Sequence, residues 1–161
     1  KEFERARRYG RALSLVIIDI DDFKKYNDNY GHLTGDHLLL KIGNIIQENI
    51  RESDVLARYG GDELAVILPE TEDKEALLLC ERIKNAIDEY NFGTKEPQLA
   101  ASGEEHDSDA DHENETKFEA IKGKFFRWLT NITDKDELIN KADQALLQAK
   151  KMGKNQVCVS E

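Results

Sequence analysis

Cysteine, methionine and tryptophan are scarce in this chain. Among its 161 residues there are two cysteines, Cys80 and Cys158, far apart and neither in a CxxC pair. They fit two reduced, buried thiols and give no sign of a disulfide framework or a zinc ribbon. A chain of this length can bury a core without such staples. No run of about 18 apolar residues exists, so no membrane span is expected. Basic charge is also short: 23 Lys and Arg stand against 33 Asp and Glu, a net charge of −10. That balance argues against nonspecific nucleic-acid binding and against contact with an anionic membrane. The opening KEFERARRYG is charged and helical in character, unlike a secretory leader. It starts with Lys, as an excised piece of a longer protein would. A cytoplasmic location is expected, including the cytoplasmic part of a membrane-anchored sensor.

What is present divides into ordered and very polar stretches. Residues 1–11 read as a basic helix or its tail. LSLVIIDI (13–20) is a nearly continuous apolar run ending in acid, as in a buried central strand. The polar stretch 21–36 holds a short helix and a loop, with Asp36 placed to cap the next segment. Leu38, Leu39, Ile42, Ile45, Ile46 and Ile50 then recur at helical spacing. Residues 55–59 and 64–68 are short β-type runs flanking Gly60 and Gly61, which mark a hairpin turn. Pro69 ends the second run. Ala76, Leu79, Cys80, Ile83, Ala86, Ile87 and Tyr90 mark another amphipathic helix. Residues 137–151 form a further helix with Leu138, Ala142, Ala145 and Leu146 on one face, and Gly153 can terminate it. Residues 156–159 suit a final edge strand.

Between 104 and 115 the sequence EEHDSDADHENE has no large apolar residue and reads as a solvated loop. Asp107, Asp109 and Asp111 imitate the start of a calcium loop. The imitation fails at His112, where the sharp turn needs Gly, and at Phe118, where a bidentate Glu is needed.

Chemistry concentrates elsewhere. Asp19 ends an apolar strand, where a charge is costly unless a cation or donors compensate. Asp62 and Glu63 sit at the hairpin tip, and beside the first strand Asp19 and Asp62 would converge. Two carboxylates are enough to hold Mg²⁺ that takes waters and phosphate oxygens as its other ligands. Gly60 and Gly61 leave bare backbone where a nucleotide could approach. Lys24 lies one helical turn beyond Asp21, and Lys150 and Lys154 stand at i, i+4. Each feature alone also has a bland reading, as a plain turn, a helix cap or solvated lysines.

Their order and joint presence resemble the GGDEF family, the diguanylate cyclases. The resemblance rests on ARRYGRALSLVIIDIDDFKKYNDNYGHLTGDHLL, RESDVLARYGGDELAVILPET, the helix containing Cys80, and NKADQALLQAKKMGKNQV, about two thirds of the chain. The signature is GGDEL here, with Leu64 where Phe is usual. The resemblance implies an α/β (α+β) fold: a central, mainly antiparallel sheet flanked by helices, similar to the palm-like core of class III nucleotide cyclases. It implies one GGDEF domain over 1–161, with a divergent acidic insertion at about 103–117 and an N-terminal sensory region in a longer chain. Asp19, the carbonyl of Ile20 and Asp62 look like ligands of Mg²⁺ or Mn²⁺, two ions per half-site, and Glu63 like an active-site acid near the nucleophile. Phe23, Lys24, Lys150 and Lys154 match phosphate-binding positions. Lys154 stands where Arg is commoner and loses its fork. Asn27 and Asp36 match guanine readers. Guanine N1–H and N2–H₂ donate, and an ionised Asp only accepts.

The implied function is condensation of two GTP into cyclic di-GMP plus pyrophosphate across a homodimer of half-sites. RESD matches the family's RxxD inhibitory site through Arg51 and Asp54, at the usual distance before the glycines, with Arg82 as a supporting arginine. The alternative is a degenerate, noncatalytic module that binds cyclic di-GMP or GTP for signalling. Two departures stand out. Leu147 replaces a common Tyr. The strand after the Cys80 helix comes either from 99–105 or from the β-former-rich 123–132. Phe125, Phe126 and Trp128 are then either core or a docking patch.

Overall fold

The computed structural model describes residues 1–90, 123–128, 135–152 and 157–159. The elements are α1 (Glu2–Tyr9), β1 (Leu13–Ile20), α2 (Phe23–Tyr30), α3 (His32–Asn49), β2 (Val55–Arg58), β3 (Glu63–Pro69), α4 (Asp73–Glu89), β4 (Gly123–Trp128), α5 (Lys135–Met152) and β5 (Val157–Val159). The five strands form one sheet in the order β2-β3-β1-β4-β5. All pairings are antiparallel except β4 with β5. The mixed helix and mainly antiparallel sheet expected above is therefore present, with β5 at its edge.

Strand β1 is buried at every position. Its near-continuous apolar run follows from being covered on both faces, and the side-chain period of 2 sorts its residues. Val16, Ile18 and Ile20 join Leu64, Val66 and Leu68 of β3 under Leu38, Leu39, Ile42, Ile45 and Ile46 of α3. Ala76, Cys80, Ile83 and Ile87 of α4 complete that cluster. On the other face Leu13, Leu15 and Ile17 pack with Ala65, with Leu138 and Ala142 of α5, and with Phe3 and Ala6 of α1. Helices thus cover both sides of the sheet, and Asp19 continues the odd-numbered series toward the side covered by α5.

Two expectations need correction. The stretch 21–36 contains no loop after its short helix. Gly31, at φ 85 and ψ 155, turns the chain so sharply that α3 begins at the next residue. Its first turn is closed by Gly35 N–H donating to the Gly31 carbonyl at 3.2 Å. Asp36 is consequently inside α3 and is not its cap. The hairpin expected at Gly60 and Gly61 is present, joining β2 to β3. Among the described residues the glycines at positive φ are Gly10 and Gly31, so this turn needs no left-handed backbone at Gly60 or Gly61.

The open choice of strand resolves to 123–128, which pairs with β1 from Leu15↔Trp128 to Ile20↔Gly123. The competing 99–105 lies outside the described residues, as do the acidic segment, the 103–117 insertion, Gly153 and the side chains of Phe125, Phe126 and Trp128. Among the described residues no helix is long and apolar enough to cross a membrane.

Candidate functional site

The C-terminal end of β1 and the β2–β3 tip lie side by side. In the β1–β3 register Asp19 is opposite Glu63, and Ile20 N–H donates to the Asp62 carbonyl at 3.2 Å. Asp19 is only 6% exposed, and Asp62 and Glu63 are half-buried. A carboxylate this buried with a second acid across the ladder favours a cation nearby. The donors on offer are hard oxygens: Asp19, Asp62, Glu63 and the backbone carbonyl of Ile20. That set suits a small divalent cation that keeps water or phosphate oxygens in its shell. Among the described residues no three His, Cys, Asp or Glu side chains are grouped so as to hold a metal ion by themselves, so a cation here would need substrate or water oxygens as well.

The glycine turn is shaped by its neighbours. Tyr59 N–H and Gly60 N–H both donate to the Glu63 carbonyl, at 2.8 and 3.1 Å. A Cβ on Gly60 would lie 2.5 Å from Glu63 Oε2, so the Glu63 carboxylate folds over that glycine. A Cβ on Gly61 would meet nothing within 4 Å. Gly60 therefore seats an acid, and Gly61 borders open space.

Arg58 is a site residue that sequence reasoning misses. Its Nε donates to the Gly60 carbonyl at 3.2 Å and its Nη2 to the Gly61 carbonyl at 2.7 Å. Its Nη1 stands 3.7 Å from Asp36 Oδ1. One guanidinium fork thus links the turn to Asp36 of α3, across different elements. The available signal is an Arg immediately before the Tyr-Gly-Gly run, whose carbonyls need donors.

The α2–α3 corner supplies the other wall. Phe23 is buried, Lys24 is exposed one residue later, and Asn27 shares the Phe23 face at i, i+4. Burial first, and then the neighbouring Tyr30, raise the Tyr26 phenol above its ordinary 10.0, so it stays neutral at physiological pH. Phe23, Lys24, Asn27 and Asp36 accordingly occupy one helical corner beside the end of β1. Lys150 lies on α5, two turns beyond Ala142, with its side chain outside the described residues; Lys154 is outside them entirely.

The RESD turn lies between α3 and β2. Arg51 is exposed, while Asp54 is 8% exposed and its Oδ2 accepts the Arg51 backbone N–H at 2.8 Å. Asp54 thereby fixes the turn that presents Arg51. Arg82 reaches this region from α4: its Nη2 donates to the Asn49 carbonyl, at the end of α3, at 2.5 Å. That bond satisfies a terminal helix carbonyl.

Comparison with known proteins bears on all of these elements at once. The sequence profile described as "Diguanylate cyclase, GGDEF domain" matches residues 1–156. The chain is 36% identical over 157 residues to diguanylate cyclase DosC of Escherichia coli (strain K12), which covers 98% of this chain and 30% of DosC. It is 34% identical over 155 residues to diguanylate cyclase DgcS of Shewanella oneidensis, covering 94% of this chain and 43% of the relative. The chain thus spans less than half the length of these curated relatives. The active GGEEF domain of a diguanylate cyclase from Vibrio cholerae superposes with a TM-score of 0.77 at 28% identity, over 99% of this chain and 90% of that one. With the match running nearly end to end in both sequence and fold, this chain belongs to the GGDEF family of diguanylate cyclase domains.

Proposed function

We propose that this chain is a diguanylate cyclase, a nucleotidyltransferase that joins two GTP molecules into cyclic di-GMP and releases pyrophosphate. The observation that carries the reading is the adjacency of Asp19, Ile20, Asp62 and Glu63 at one sheet end. The carboxylates of Asp19 and Asp62, with the Ile20 carbonyl, would hold Mg²⁺ or Mn²⁺, two ions per half-site. Such an ion would supply Lewis-acid polarisation of the phosphate oxygens and of a ribose hydroxyl.

The remaining steps belong to the chain's own residues. Asp36 accepts from guanine N1–H and N2–H₂, and Asn27 completes the reading of the base. The bare backbone at Gly61 lets the nucleotide lie against the turn. Lys24, Lys150 and Lys154 neutralise the triphosphate, and the backbone at Phe23 meets its oxygens. Glu63 takes up the proton of the 3′-hydroxyl as that oxygen attacks the α-phosphorus of the GTP held by a second protomer. The bond from the α-phosphorus to the bridging oxygen breaks, and pyrophosphate leaves. A second attack in the opposite sense closes the ring. The product is two-fold symmetric, so a homodimer of half-sites matches it.

Incubation with Mg²⁺ and GTP is expected to yield pyrophosphate and a cyclic dinucleotide in a 2:1 ratio. No turnover at high protein concentration, with cyclic di-GMP still bound, would select the noncatalytic binding module instead.

Product inhibition through Arg51 and Asp54 is part of the same proposal. Arg51 is exposed and held by Asp54 in a fixed turn, ready to fork onto guanine O6 and N7 or onto a phosphate. Arg82 of α4, hydrogen-bonded to the Asn49 carbonyl at the end of α3, supports that site. An Arg51→Ala variant should need roughly tenfold more cyclic di-GMP for half-inhibition, the worth of about one charged hydrogen bond. Equal inhibition of variant and parent in a product-titration assay would remove Arg51 from the inhibitory site.

A further inference from the structure

We infer that Gly35 is a specificity-determining positioning residue: its bare Cα forms the slot that seats the Asn27 carboxamide beside Asp36, so that the pair reads guanine and rejects adenine. This rests on the GTP-binding reading above and extends it to a residue that touches no substrate.

Three observations converge on Gly35. It is buried in the first turn of α3, where that helix packs on α2. A Cβ built on it would lie 1.8 Å from Asn27 Oδ1, 2.9 Å from Asn27 Cγ and 3.1 Å from Phe23 Cζ. The Asn27 carbonyl oxygen therefore occupies the space that any other residue would fill. Asn27 Oδ1 is also buried without a hydrogen-bond partner. No hydrogen bond within the protein holds that oxygen, so its seat is set by packing against Gly35.

The consequence is chemical. With Oδ1 against Gly35, the Nδ2 end of Asn27 is the end left for a ligand, and Nδ2 only donates. Asp36, the next residue after Gly35, presents a carboxylate that only accepts. Guanine offers the matching pair on one edge, the O6 acceptor beside the N1–H donor. Adenine offers the reverse, an N6–H₂ donor beside a bare N1 acceptor, and is mismatched at both positions. Arg58 keeps Asp36 in register from the other side. Gly35 is thus the joint at which both halves of the reader are set.

The test uses 3′-deoxy-GTP and 3′-deoxy-ATP with Mg²⁺, which lack the attacking hydroxyl, so calorimetry reads binding without turnover. Gly35→Ala should fold, because Ala favours a helix interior over Gly and the displaced atom ends a short side chain. Its affinity for 3′-deoxy-GTP should fall about tenfold, with weak 3′-deoxy-ATP binding unchanged, which narrows the discrimination. Asn27→Ala should show the same loss, and Gly35→Ala/Asn27→Ala no more than Asn27→Ala alone. A folded Gly35→Ala that binds 3′-deoxy-GTP like the parent overturns the inference, as does a double variant whose losses simply add. If Gly35→Ala melts low while the double variant melts like the parent, the clash with Asn27 is established and the slot is supported. If both unfold, the contact is merely structural and the inference falls. A parent protein that binds no 3′-deoxy-GTP would instead refute the GTP reading itself.

Discussion

Replacing Asp62 with Ala is expected to lower GTP turnover about 10³-fold, the scale on which removing one preorganised electrostatic partner acts. The reason lies in how few donors the metal site has. On the proposed reading Asp19 and Asp62 are its two side-chain anchors, and the other ligands would have to come from a carbonyl, water and phosphate. Stability should barely respond. Asp62 is half-buried at a loop tip, and its contribution to the fold is a backbone carbonyl that accepts Ile20 N–H. Ala keeps that carbonyl, so the unfolding free energy should stay within about 1 kcal/mol of the parent. The two effects separate in one thermal experiment. Saturating Mg²⁺ and GTP should raise the melting temperature of the parent, by about 2.7 kcal/mol of linkage at a hundredfold excess over Kd, and leave the variant nearly unmoved. A variant that turns over GTP like the parent removes Asp62 from the site. A variant that fails to fold makes the residue structural.

Much of this site is legible in the sequence because the relevant signals are local. An apolar run with Asp19 near its end suits a covered strand with a costly charge at its end, and β1 is buried at every position. The GGDEL run fixes the hairpin and its acids by adjacency, and β1 and β3 do pair as that implies. RESD likewise announces its own turn, since Asp54 closes back on the Arg51 N–H. What stays hidden depends on tertiary placement. The α2–α3 corner carries few apolar residues at regular spacing, so Gly31 looks like part of a loop although it joins two helices. Asp36 consequently looks like a cap. In place it is an exposed helical residue tied to Arg58 from a different element. Gly35 gives no signal either, because its role is set by Asn27 on the facing helix. The two glycines of the signature suggest backbone freedom, yet Gly60 matters because the Glu63 carboxylate lies over it.

Ile18→Ala is expected to cost about 2–5 kcal/mol of stability, the usual range for emptying a fully buried aliphatic site. Ile18 is 0% exposed and faces the cluster containing Ile46, which is also 0% exposed. It is opposite Leu64 in the β1–β3 register, so rigid neighbours surround the cavity that Ala would leave. Ile18→Val should cost only about 0.5–1.5 kcal/mol, whereas Leu40→Ala, on the exposed side of α3, should stay within about 0.5 kcal/mol. Urea melts of the three variants would check the order, and an Ile18→Ala midpoint equal to that of Leu40→Ala would break the two-face account of the core. The effect on function should run differently from the effect on stability. Ile18 and Asp19 are consecutive, so the strand that anchors the core on one face delivers the carboxylate on the other. Below its melting temperature, Ile18→Ala keeps every residue proposed to contact metal or guanine, and its turnover should fall far less than that of Asp62→Ala. At this end of β1 the core residue Ile18 and the carboxylate of Asp19 are thus neighbours in sequence but on opposite faces, and the pleat of the strand keeps them apart.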